Sequence, residues 1–419
     1  MEKVTAVILA AGLGTRMKSK VPKVLHRLGN RTILARVIDR LEKAGVKDVV
    51  AVVGHGADQV KEEFRGRIRF AEQKELLGSA DAVKCALKVA GDGDGDLLVT
   101  CGDTPLIESE TYRKIFDEKR KRKAACGLLT CRMPEPASYG RIVRGSGGNV
   151  IRIVEEKDAS DDEKRIDEIN VGTYCFSRRK IADHIGTIGM NPKKKEFYLT
   201  DIVEILAESG EEVISVSCPA EEAIGINTRK DLAEAYMVAN SRKIQELMDS
   251  GVTVVDPANT YVDESAEVGP DTVIFPNTVI ENDVKIAGDC RIGPFARLRP
   301  GTSIREHAEI GNFVELCRTE VGRNTKVKHH TYLGDTVVGE NANIGAGTIT
   351  ANYDGKDKYR TIIEDEAFIG VGAVLIAPVT IGKGARVGAG SVVTKNRDVP
   401  AGGTVVGVPA RPFEPKRKG

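Results

Sequence analysis

Between residues 268 and 298 the chain reads VGPDTVIFPNTVIENDVKIAGDCRIGPFARL. Every sixth position of this stretch is aliphatic, namely Val268, Ile274, Ile280, Ile286, Ile292 and Leu298. An α-helix repeats its apolar face about every 3.6 residues and a strand about every two, so neither imposes a period of six. A six-residue repeat is typical of a parallel β-helix, in which each aliphatic side chain stacks on the coil below.

The repeat extends beyond the quoted stretch, with one interruption. Its further aliphatic positions are Val262, Ile304, Ile310, Leu316, Val321, Val327, Leu333, Val338, Ile344, Ile369, Leu375, Ile381, Val387, Val393, Val399 and Val405. The polar segment TANYDGKDKYR, residues 350–360, breaks the register. We expect it to form a loop on the outside of the solenoid, where loops on a rigid scaffold frequently carry function.

The chain before about residue 228 follows a different pattern. Short apolar runs at 4–10, 49–53 and 97–101 alternate with helix-like stretches at 33–44 and 79–89. This alternation predicts an α/β domain with a parallel sheet, whose ligands bind at the carboxyl ends of the strands.

Residues 228–250 predict one long helix that ends before Gly251. Its apolar residues near one face are Leu232, Ala235, Tyr236, Ala239, Ile244 and Leu247. The predicted organisation is therefore an α/β domain at 1–228, a linker helix at 229–250 and the repeat domain at 251–419.

The composition excludes several classes of protein. The 419 residues include 62 Lys and Arg against 61 Asp and Glu, which offers no general attraction for nucleic acid. Hydrophobic residues make up 41%, too many for a disordered chain, and no long apolar run predicts a membrane span. The eight cysteines include no C-x-x-C pair, and no secretion signal is recognised. We therefore expect reduced thiols, no zinc site and a cytoplasmic protein.

A glycine-rich segment, LAAGLGTR at residues 9–16, follows the first predicted strand. Gly12 and Gly14 let the backbone approach an anion, and Arg16 and Lys23 add cations suited to phosphate. The spacing matches neither a P-loop nor a dinucleotide-binding fingerprint. A bare G-x-G is also common in ordinary strand-to-helix turns, so the cations carry the phosphate interpretation.

Asp103 comes just after the predicted strand at 97–101. A carboxylate at that edge is well placed to hold Mg²⁺ beside a nucleotide phosphate. Taken alone, such an aspartate is more often a turn residue or a helix cap.

Motifs in both parts resemble one family. LAAGLGTRM (9–17), PKVLH (22–26) and GDTPL (102–106) are similar to sugar-phosphate nucleotidylyltransferases. With FARLRP (295–300), GNFVE (311–315), HTYLGD (330–335), NIGAGTI (343–349) and NYDG (352–355), nearly the whole chain resembles the bacterial bifunctional N-acetylglucosamine-1-phosphate uridylyltransferase / glucosamine-1-phosphate N-acetyltransferases.

The resemblance implies a fold and a function. The fold is an α/β Rossmann-like nucleotidylyltransferase domain, a linker helix and a left-handed parallel β-helix of hexapeptide repeats. The function is acetyl transfer from acetyl-CoA to glucosamine-1-phosphate, then uridylyl transfer from UTP to N-acetylglucosamine-1-phosphate, which provides a cell-wall precursor. The resemblance further implies a homotrimer with acetyltransferase sites between subunits.

For the first domain, the resemblance implies catalytic cations at Arg16 and Lys23 and a Mg²⁺ pair at Asp103 and Asn227. Gln73 would read the uracil edge. The remaining substrate-binding positions for UTP and the sugar phosphate are Ala11, Gly12, Gly14, Gly78, Ser79, Gly140, Glu155, Asn170 and Thr200, together with Asn227 itself.

For the second domain, the resemblance makes His329 the general base that takes a proton from the glucosamine ammonium, with His330 a weaker candidate. It implies glucosamine-1-phosphate contacts at Arg299, Tyr332, Asn343 and Lys358. It implies acetyl-CoA contacts at Ala346, Asn352, Tyr353, Val371 and Ala389.

Departures from the family pattern leave three alternatives open. The family usually has a lysine that contacts the sugar phosphate at the position of Cys317, and here Arg318 lies next to it. This departure would fit a uridylyltransferase whose acetyltransferase domain is weak. LGSADA at 77–82 replaces the usual LGTGHA, which would fit another base or sugar. The third alternative is a scaffold without activity, and the set Arg16, Lys23, Asp103, Asn227 and His329 argues against it.

Overall fold

The computed structural model describes residues 3–91, 93–136 and 138–413. It forms two compact units, Met1–Tyr236 and Met237–Gly419, and the division falls within the longest helix. None of the helices in the described ranges has both the length and the hydropathy that a bilayer crossing requires.

The first unit is built around one mixed sheet, sheet A, with helices packed against it. The strands of sheet A are β1 (Val4–Leu9), β4 (Asp48–Val53), β5 (Arg69–Glu72), β6 (Asp96–Cys101), β7 (Cys126–Arg132), β8 (Arg141–Arg144), β9 (Val150–Val154), β10 (Glu168–Ser177) and β11 (Val213–Ser217). Two short strands, β2 (Arg27–Leu28) and β3 (Arg31–Thr32), form a separate antiparallel pair. The helices are α1 (Ile33–Lys43), α2 (Ala57–Glu63), α3 (Ser79–Ala90), α4 (Ser109–Arg122), α5 (Asp161–Lys164), α6 (Arg178–His184), α7 (Asp201–Glu208) and α8 (Arg229–Asp249).

The strand order of sheet A is β11-β7-β10-β6-β1-β4-β5, with β8 and β9 attached beside β10. Strand β1 runs parallel to β4 and β6, and β5 runs parallel to β4. The carboxyl ends of these four strands therefore share one edge. That edge carries the segments that follow Leu9, Val53, Glu72 and Cys101, as the alternating pattern predicts.

Apolar side chains of sheet A are buried on both faces, which is why its central strands read as continuous apolar runs. Helix α1 begins where the Thr32 side chain accepts a hydrogen bond from the N–H of Ala35. Helix α8 begins similarly, because Thr228 Oγ1 accepts from the N–H of Asp231 while Asp231 Oδ2 accepts from the N–H of Thr228.

Helix α8 differs from its predicted face at one residue. Ala235, Ile244 and Leu247 are buried, whereas Tyr236 is 38% exposed. Ile244 and Leu247 pack into the core of the second unit.

The second unit is a left-handed parallel β-helix. Its strands are β12 (Thr253–Val254), β13 (Tyr261–Val262), β14 (Glu267–Val268), β15 (Val273–Ile274), β16 (Val279–Ile280), β17 (Lys285–Ile286), β18 (Arg291–Ile292), β19 (Arg297–Leu298), β20 (Ser303–Ile304), β21 (Glu309–Asn312), β22 (Glu315–Cys317), β23 (Glu320–Val321), β24 (Lys326–His329), β25 (Tyr332–Gly334), β26 (Thr336–Val338), β27 (Asn343–Ile344), β28 (Ile349–Ala351), β29 (Thr361–Ile363), β30 (Phe368–Ile369), β31 (Val374–Ile376), β32 (Val379–Ile381), β33 (Arg386–Val387), β34 (Val392–Val393), β35 (Thr404–Val406) and β36 (Arg411–Pro412).

These strands form three long sheets. Sheet B runs from β12 through β15 and β18 to β36, sheet C from β13 through β16 to β34, and sheet D from β14 through β17 to β32. Up to β35, strands pair in parallel with the strand one coil further on, so Ile274 aligns with Ile292 and Ile280 with Leu298. The last strand, β36, instead pairs antiparallel with β35. The period of six in the sequence is thus the spacing between adjacent sheets within a coil.

The aliphatic positions of the repeat form the core of the coils, and Ile274, Ile292 and Ile310 are 0% exposed. Buried threonines flank this core, and several of their hydroxyls bond to backbone carbonyls, although those of Thr302 and Thr361 have no partner. Thr278 donates to Phe275 O at 2.8 Å, and Thr319 donates to Leu333 O at 2.9 Å. Short polar side chains therefore satisfy carbonyls at the bends where an aliphatic side chain could not.

Candidate functional sites

The glycine-rich segment lies at the carboxyl edge of sheet A, directly after β1. Gly14 has a φ of +60°, and a Cβ built on it would lie 2.9 Å from the Cβ of Lys23. A residue with a side chain would be strained there and would displace Lys23. By contrast, a Cβ on Gly12 would meet nothing within 4 Å, so Gly12 faces open space.

Two cations and two oxygen ligands meet beside this segment. Lys23 Nζ donates to Asp103 Oδ2 and, at 3.0 Å, to Asn227 Oδ1. Arg16 Nη2 also donates to Asn227 Oδ1, at 2.9 Å. Residues far apart in sequence thus form one polar cluster, which the individual motifs did not reveal.

Backbone contacts hold Asn227 in this cluster. The N–H of Ile226 donates to Asp103 O at 2.8 Å, which ties the two segments together. The N–H of Asn227 donates to Asp231 Oδ2 at 2.8 Å, and Asn227 Nδ2 donates to Gly225 O at 3.3 Å. The amide nitrogen is thereby turned away, and Oδ1 faces the cations.

The cluster fits a magnesium ion. Asp103 Oδ2 and Asn227 Oδ1 are oxygen donors that converge on the ammonium of Lys23. No group of three or more His, Cys, Asp and Glu side chains in the described ranges could hold a metal. Two oxygen ligands suit Mg²⁺, which takes one or two protein carboxylates and fills its remaining positions with water and substrate phosphates.

A cavity of about 560 Å³ opens beside the cluster. The predicted residues that line it are Ala11, Gly12, Gly14, Arg16, Lys23, Gln73, Gly78, Ser79 and Asn227. Sequence reasoning missed Leu9, Leu13, Thr15, Leu76, Ala82 and Glu196, which also line it. Leu13 and Leu76 are 54% and 38% exposed, so the cavity has apolar surface for a flat ring as well as cations for phosphates.

The four predicted sugar positions form two bonded pairs that do not line this cavity. The N–H of Asn170 donates to Gly140 O at 2.9 Å, and Thr200 Oγ1 donates to Glu155 Oε1 at 3.0 Å. Burial raises the pKa of Glu155 above its ordinary value. Burial and the nearby carboxylates, with Glu155 first among them, raise the pKa of Asp201 to about 6.

In the second unit, four predicted residues stack on one corner of the β-helix. Each backbone carbonyl accepts a hydrogen bond from the next coil: His329 O from Gly347 at 3.3 Å, Ala346 O from Gly372 at 2.8 Å and Val371 O from Gly390 at 2.8 Å. Ala389 comes just before Gly390 and continues this series, called here the His329 column. Beside the imidazole the column presents two alanines and the exposed Val371, so its surface here is apolar and uncharged.

The imidazole of His329 is exposed and oriented. Its Nδ1 lies 2.7 Å from Asn312 Oδ1. An amide oxygen can only accept, so in this arrangement Nδ1 carries a proton, and Nε2 of the neutral imidazole presents a lone pair. His330 has a different environment, because its ring stacks on Phe313 with centroids 5.0 Å apart.

The predicted sugar-phosphate residues are divided between two sheets. Just after β19 of sheet C, Arg299 Nη1 donates to Glu315 Oε1 at 2.9 Å, and Glu315 aligns with Tyr332 on the next coil of that sheet. Burial, aided by Cys317 and Glu315, raises the pKa of Tyr332. Asn343 lies on sheet B, where it aligns with Lys326.

The predicted loop begins later than the sequence suggested. Thr350 and Ala351 belong to β28, and Thr350 is 1% exposed, because the repeat continues through them. Asn352 is buried and donates through Nδ2 to Asp335. Tyr353 and Lys358 form a bridge across the exposed turn between them. Nζ of Lys395 lies 4.1 Å from the ring centroid of Tyr359, and this cation–π contact connects the loop to a later coil.

Asn352 and the His329 column lie at opposite ends of the sheet C strands. Ala346 and Val371 precede β28 and β31, whereas Asn352 follows β28. One copy of the chain therefore does not bring the imidazole and Asn352 to the same corner.

Arg318 covers the position at which the family pattern differs. Its Nη1 lies 2.9 Å from Cys317 Sγ, and its Nη2 donates to Asp335 Oδ2 at 2.8 Å. Asp335 also accepts from Asn352. Cys317 itself is buried beneath this guanidinium.

Comparison with known proteins agrees with this architecture. The MobA-like NTP transferase domain matches residues 6–149, and the hexapeptide repeat of succinyl-transferase matches residues 360–395. The fold and these matches define a protein in which a nucleotidyltransferase domain precedes a hexapeptide-repeat domain.

Relatives of this chain match it over nearly its whole length. It is 44% identical to the bifunctional protein GlmU of Geobacillus sp. (strain WCH70), over 96% of this chain and 94% of the relative. It is 44% identical to GlmU of Geobacillus thermodenitrificans, over 97% and 96%, and 41% identical to that of Halalkalibacterium halodurans, over 94% of each. The chain therefore belongs to the family of the bifunctional protein GlmU.

Proposed function

We propose that this chain catalyses two steps of UDP-N-acetylglucosamine synthesis. Residues 1–228 carry uridylyl transfer, residues 229–250 form the linker and residues 251–419 carry acetyl transfer from acetyl-CoA. The observation that supports this most strongly is the convergence of Arg16, Lys23, Asp103 and Asn227 beside a cavity large enough for a nucleotide.

In uridylyl transfer, a phosphate oxygen of N-acetylglucosamine-1-phosphate attacks the α-phosphorus of UTP. The bond between that phosphorus and the bridging oxygen breaks, and pyrophosphate leaves. Such a reaction needs alignment and charge neutralisation more than a protein nucleophile. Arg16 and Lys23 supply fixed positive charge, and the segment from Ala11 to Gly14 supplies backbone that phosphates can approach closely.

Asp103 and Asn227 would hold Mg²⁺, which neutralises charge on the phosphates when bound. In the structure the Lys23 ammonium bridges these two oxygens. We infer that Lys23 turns from them toward the phosphates when the substrates arrive. The polar pairs of Glu155 with Thr200 and of Asn170 with Gly140 do not line the nucleotide cavity, and they are the proposed contacts of the sugar hydroxyls.

In acetyl transfer, the amine of glucosamine-1-phosphate attacks the thioester carbonyl of acetyl-CoA, and the thiol of coenzyme A leaves. Nε2 of His329 accepts the amine proton, while the bond from Nδ1 to Asn312 holds the ring. The apolar surface of Ala346, Val371 and Ala389 is the proposed contact for the extended coenzyme beside that ring. Arg299, Tyr332, Asn343 and Lys358 are the proposed sugar-phosphate contacts.

We propose a homotrimer with shared acetyltransferase sites. The position of Asn352 and Tyr353 at the far ends of the sheet C strands from His329 supports an arrangement in which neighbouring copies complete each site. We also propose a cytoplasmic location, which is supported by the absence of a disulfide among the eight cysteines, all of which are described.

One assay tests both activities. The purified protein is incubated with each nucleoside triphosphate and each sugar phosphate, with and without acetyl-CoA. Pyrophosphate and free thiol are measured separately. We expect pyrophosphate from UTP with N-acetylglucosamine-1-phosphate, and thiol from acetyl-CoA with glucosamine-1-phosphate. Release of neither product would refute both assignments, and release of pyrophosphate alone would refute the acetyltransferase.

A further inference from the structure

The amide of Gln73 is held in one orientation by two acceptors. Its Nε2 lies 2.9 Å from Gly78 O and 2.8 Å from Asp81 Oδ2. A carbonyl and a carboxylate can only accept hydrogen bonds, so the amide nitrogen must face them. An inverted amide would place Oε1 against two other oxygens.

This arrangement uses both side-chain N–H donors of Gln73, so only Oε1 remains to form a hydrogen bond with a ligand. The side chain is 5% exposed and lines the 560 Å³ cavity. In the part of the chain that the structure describes, no residue donates to this Oε1. Oε1 is not among the fully buried polar atoms that lack a partner, so it reaches the surface of the cavity with its lone pairs unused, where the N–H of a ligand can donate to it.

The two pyrimidine bases differ at the atom that would meet this oxygen. Uracil carries a hydrogen on N3 and can donate, whereas N3 of cytosine carries a lone pair. An acceptor fixed in the cavity therefore attracts the first base and repels the second. A freely rotating amide would accommodate both, because it could present Nε2 instead.

We propose that Asp81 is a positioning residue for nucleotide selection: by holding the Gln73 amide nitrogen, it makes the cavity specific for a base that donates from N3. The proposal rests on the nucleotidyltransferase function proposed above. Asp81 lies in the first turn of α3 and acts through Gln73, without touching the base itself.

The test compares binding of UTP and CTP by calorimetry in the full chain and in Asp81→Asn. An asparagine can offer either its oxygen or its nitrogen to Gln73, which releases the amide. We expect the ratio of the two dissociation constants to fall about tenfold, the value of one hydrogen bond. Gln73→Leu should remove the same selectivity, and the double variant should lose no more than Gln73→Leu alone.

The control is Glu110→Gln, which makes the same acid-to-amide change in the first turn of α4. It should leave the UTP-to-CTP ratio unchanged. If Asp81→Asn weakens both nucleotides by the same factor, Asp81 only stabilises its helix and the proposal is overturned. Effects of Asp81→Asn and Gln73→Leu that simply add would overturn it as well.

Binding and turnover separate this proposal from the function on which it rests. Selective binding of UTP that depends on Asp81, without any pyrophosphate release, would support the role of Asp81 and refute uridylyl transfer. Wild-type protein that binds CTP as tightly as UTP would overturn the role of Asp81, whatever the turnover.

Discussion

Lys23 Nζ lies 3.0 Å from Asn227 Oδ1, although 204 positions separate the two residues in sequence. The segment that follows β1 and the segment before α8 meet because both approach the carboxyl edge of sheet A. Asp103 joins them from the end of β6. This cluster allows the first prediction, which concerns the metal.

Asp103→Asn should reduce uridylyl transfer about 10²–10³-fold, because a neutral amide holds Mg²⁺ poorly and leaves phosphate charge uncompensated. Pyrophosphate release at saturating UTP, sugar phosphate and Mg²⁺ measures the loss. Thiol release from acetyl-CoA should stay at the wild-type rate, since its residues belong to the second unit. Asp58→Asn, at an exposed carboxylate of α2, is the matched control. Near-normal turnover of Asp103→Asn would contradict the metal assignment.

Gly14→Ala should reduce both stability and uridylyl transfer. A φ of +60° costs alanine about 1–2 kcal/mol in the free energy of unfolding. The added Cβ also displaces Lys23, which should lower kcat about 10²-fold. Denaturant unfolding and pyrophosphate release measure the two effects.

Gly66→Ala separates strain from displacement. Gly66 has a φ of +76°, and a Cβ there would meet nothing within 4 Å. This variant should lose similar stability and keep its kcat. Equal losses of kcat in the two variants would show that backbone strain, not the contact with Lys23, controls turnover.

The sequence predicts the fold of the repeat domain in more detail than the arrangement of the site in the first unit. Stacked coils impose their period directly on the sequence, so the six-residue spacing predicts which aliphatic residues point into the core. The cluster at Lys23 depends instead on chain crossings that no local pattern encodes, and resemblance alone drew attention to Asn227. Two contacts depend on side-chain geometry and could not be predicted from the sequence pattern or from the resemblance. They are the hydrogen bond between Gln73 and Asp81 and the contact of Arg318 with Cys317.

His329→Ala should reduce acetyl transfer about 10²–10⁴-fold, because no other group would take the amine proton. Thiol release with glucosamine-1-phosphate measures it, and pyrophosphate release should not change. His330→Ala is the neighbouring control, since that ring is stacked on Phe313. A larger loss in His330→Ala than in His329→Ala would reverse the assignment of the base.

Arg318→Ala tests how the cation missing at Cys317 is replaced. We expect the KM for glucosamine-1-phosphate to rise about tenfold, the value of about one charge-assisted hydrogen bond, with a smaller effect on kcat. Arg318→Lys should recover part of the affinity because it restores a point charge. Arg305→Ala, at an exposed arginine of an earlier coil, should leave KM unchanged. An unaltered KM in Arg318→Ala would mean that this guanidinium pairs with Asp335 and does not contact the substrate.

Asp201 should make stability depend on pH. Its pKa is raised to about 6 in the folded chain, above the ordinary 3.8, so the folded state binds the proton more tightly. The resulting stabilisation is fully present below about pH 4 and is lost as the pH rises through 6. Asp201→Asn, which carries no charge, should therefore unfold at higher denaturant than wild type at pH 8.

The expected gain is about 1 kcal/mol, because solvent screening reduces the effect at this half-buried carboxyl. Denaturant unfolding of both proteins from pH 4 to 8 measures it, and the difference should shrink toward zero at the acid end. Asp117→Asn, at an exposed carboxylate of α4, should show the same small difference at every pH. A gain for Asp201→Asn that is constant across this range would show that packing of the amide, not relief of charge near Glu155, is its cause.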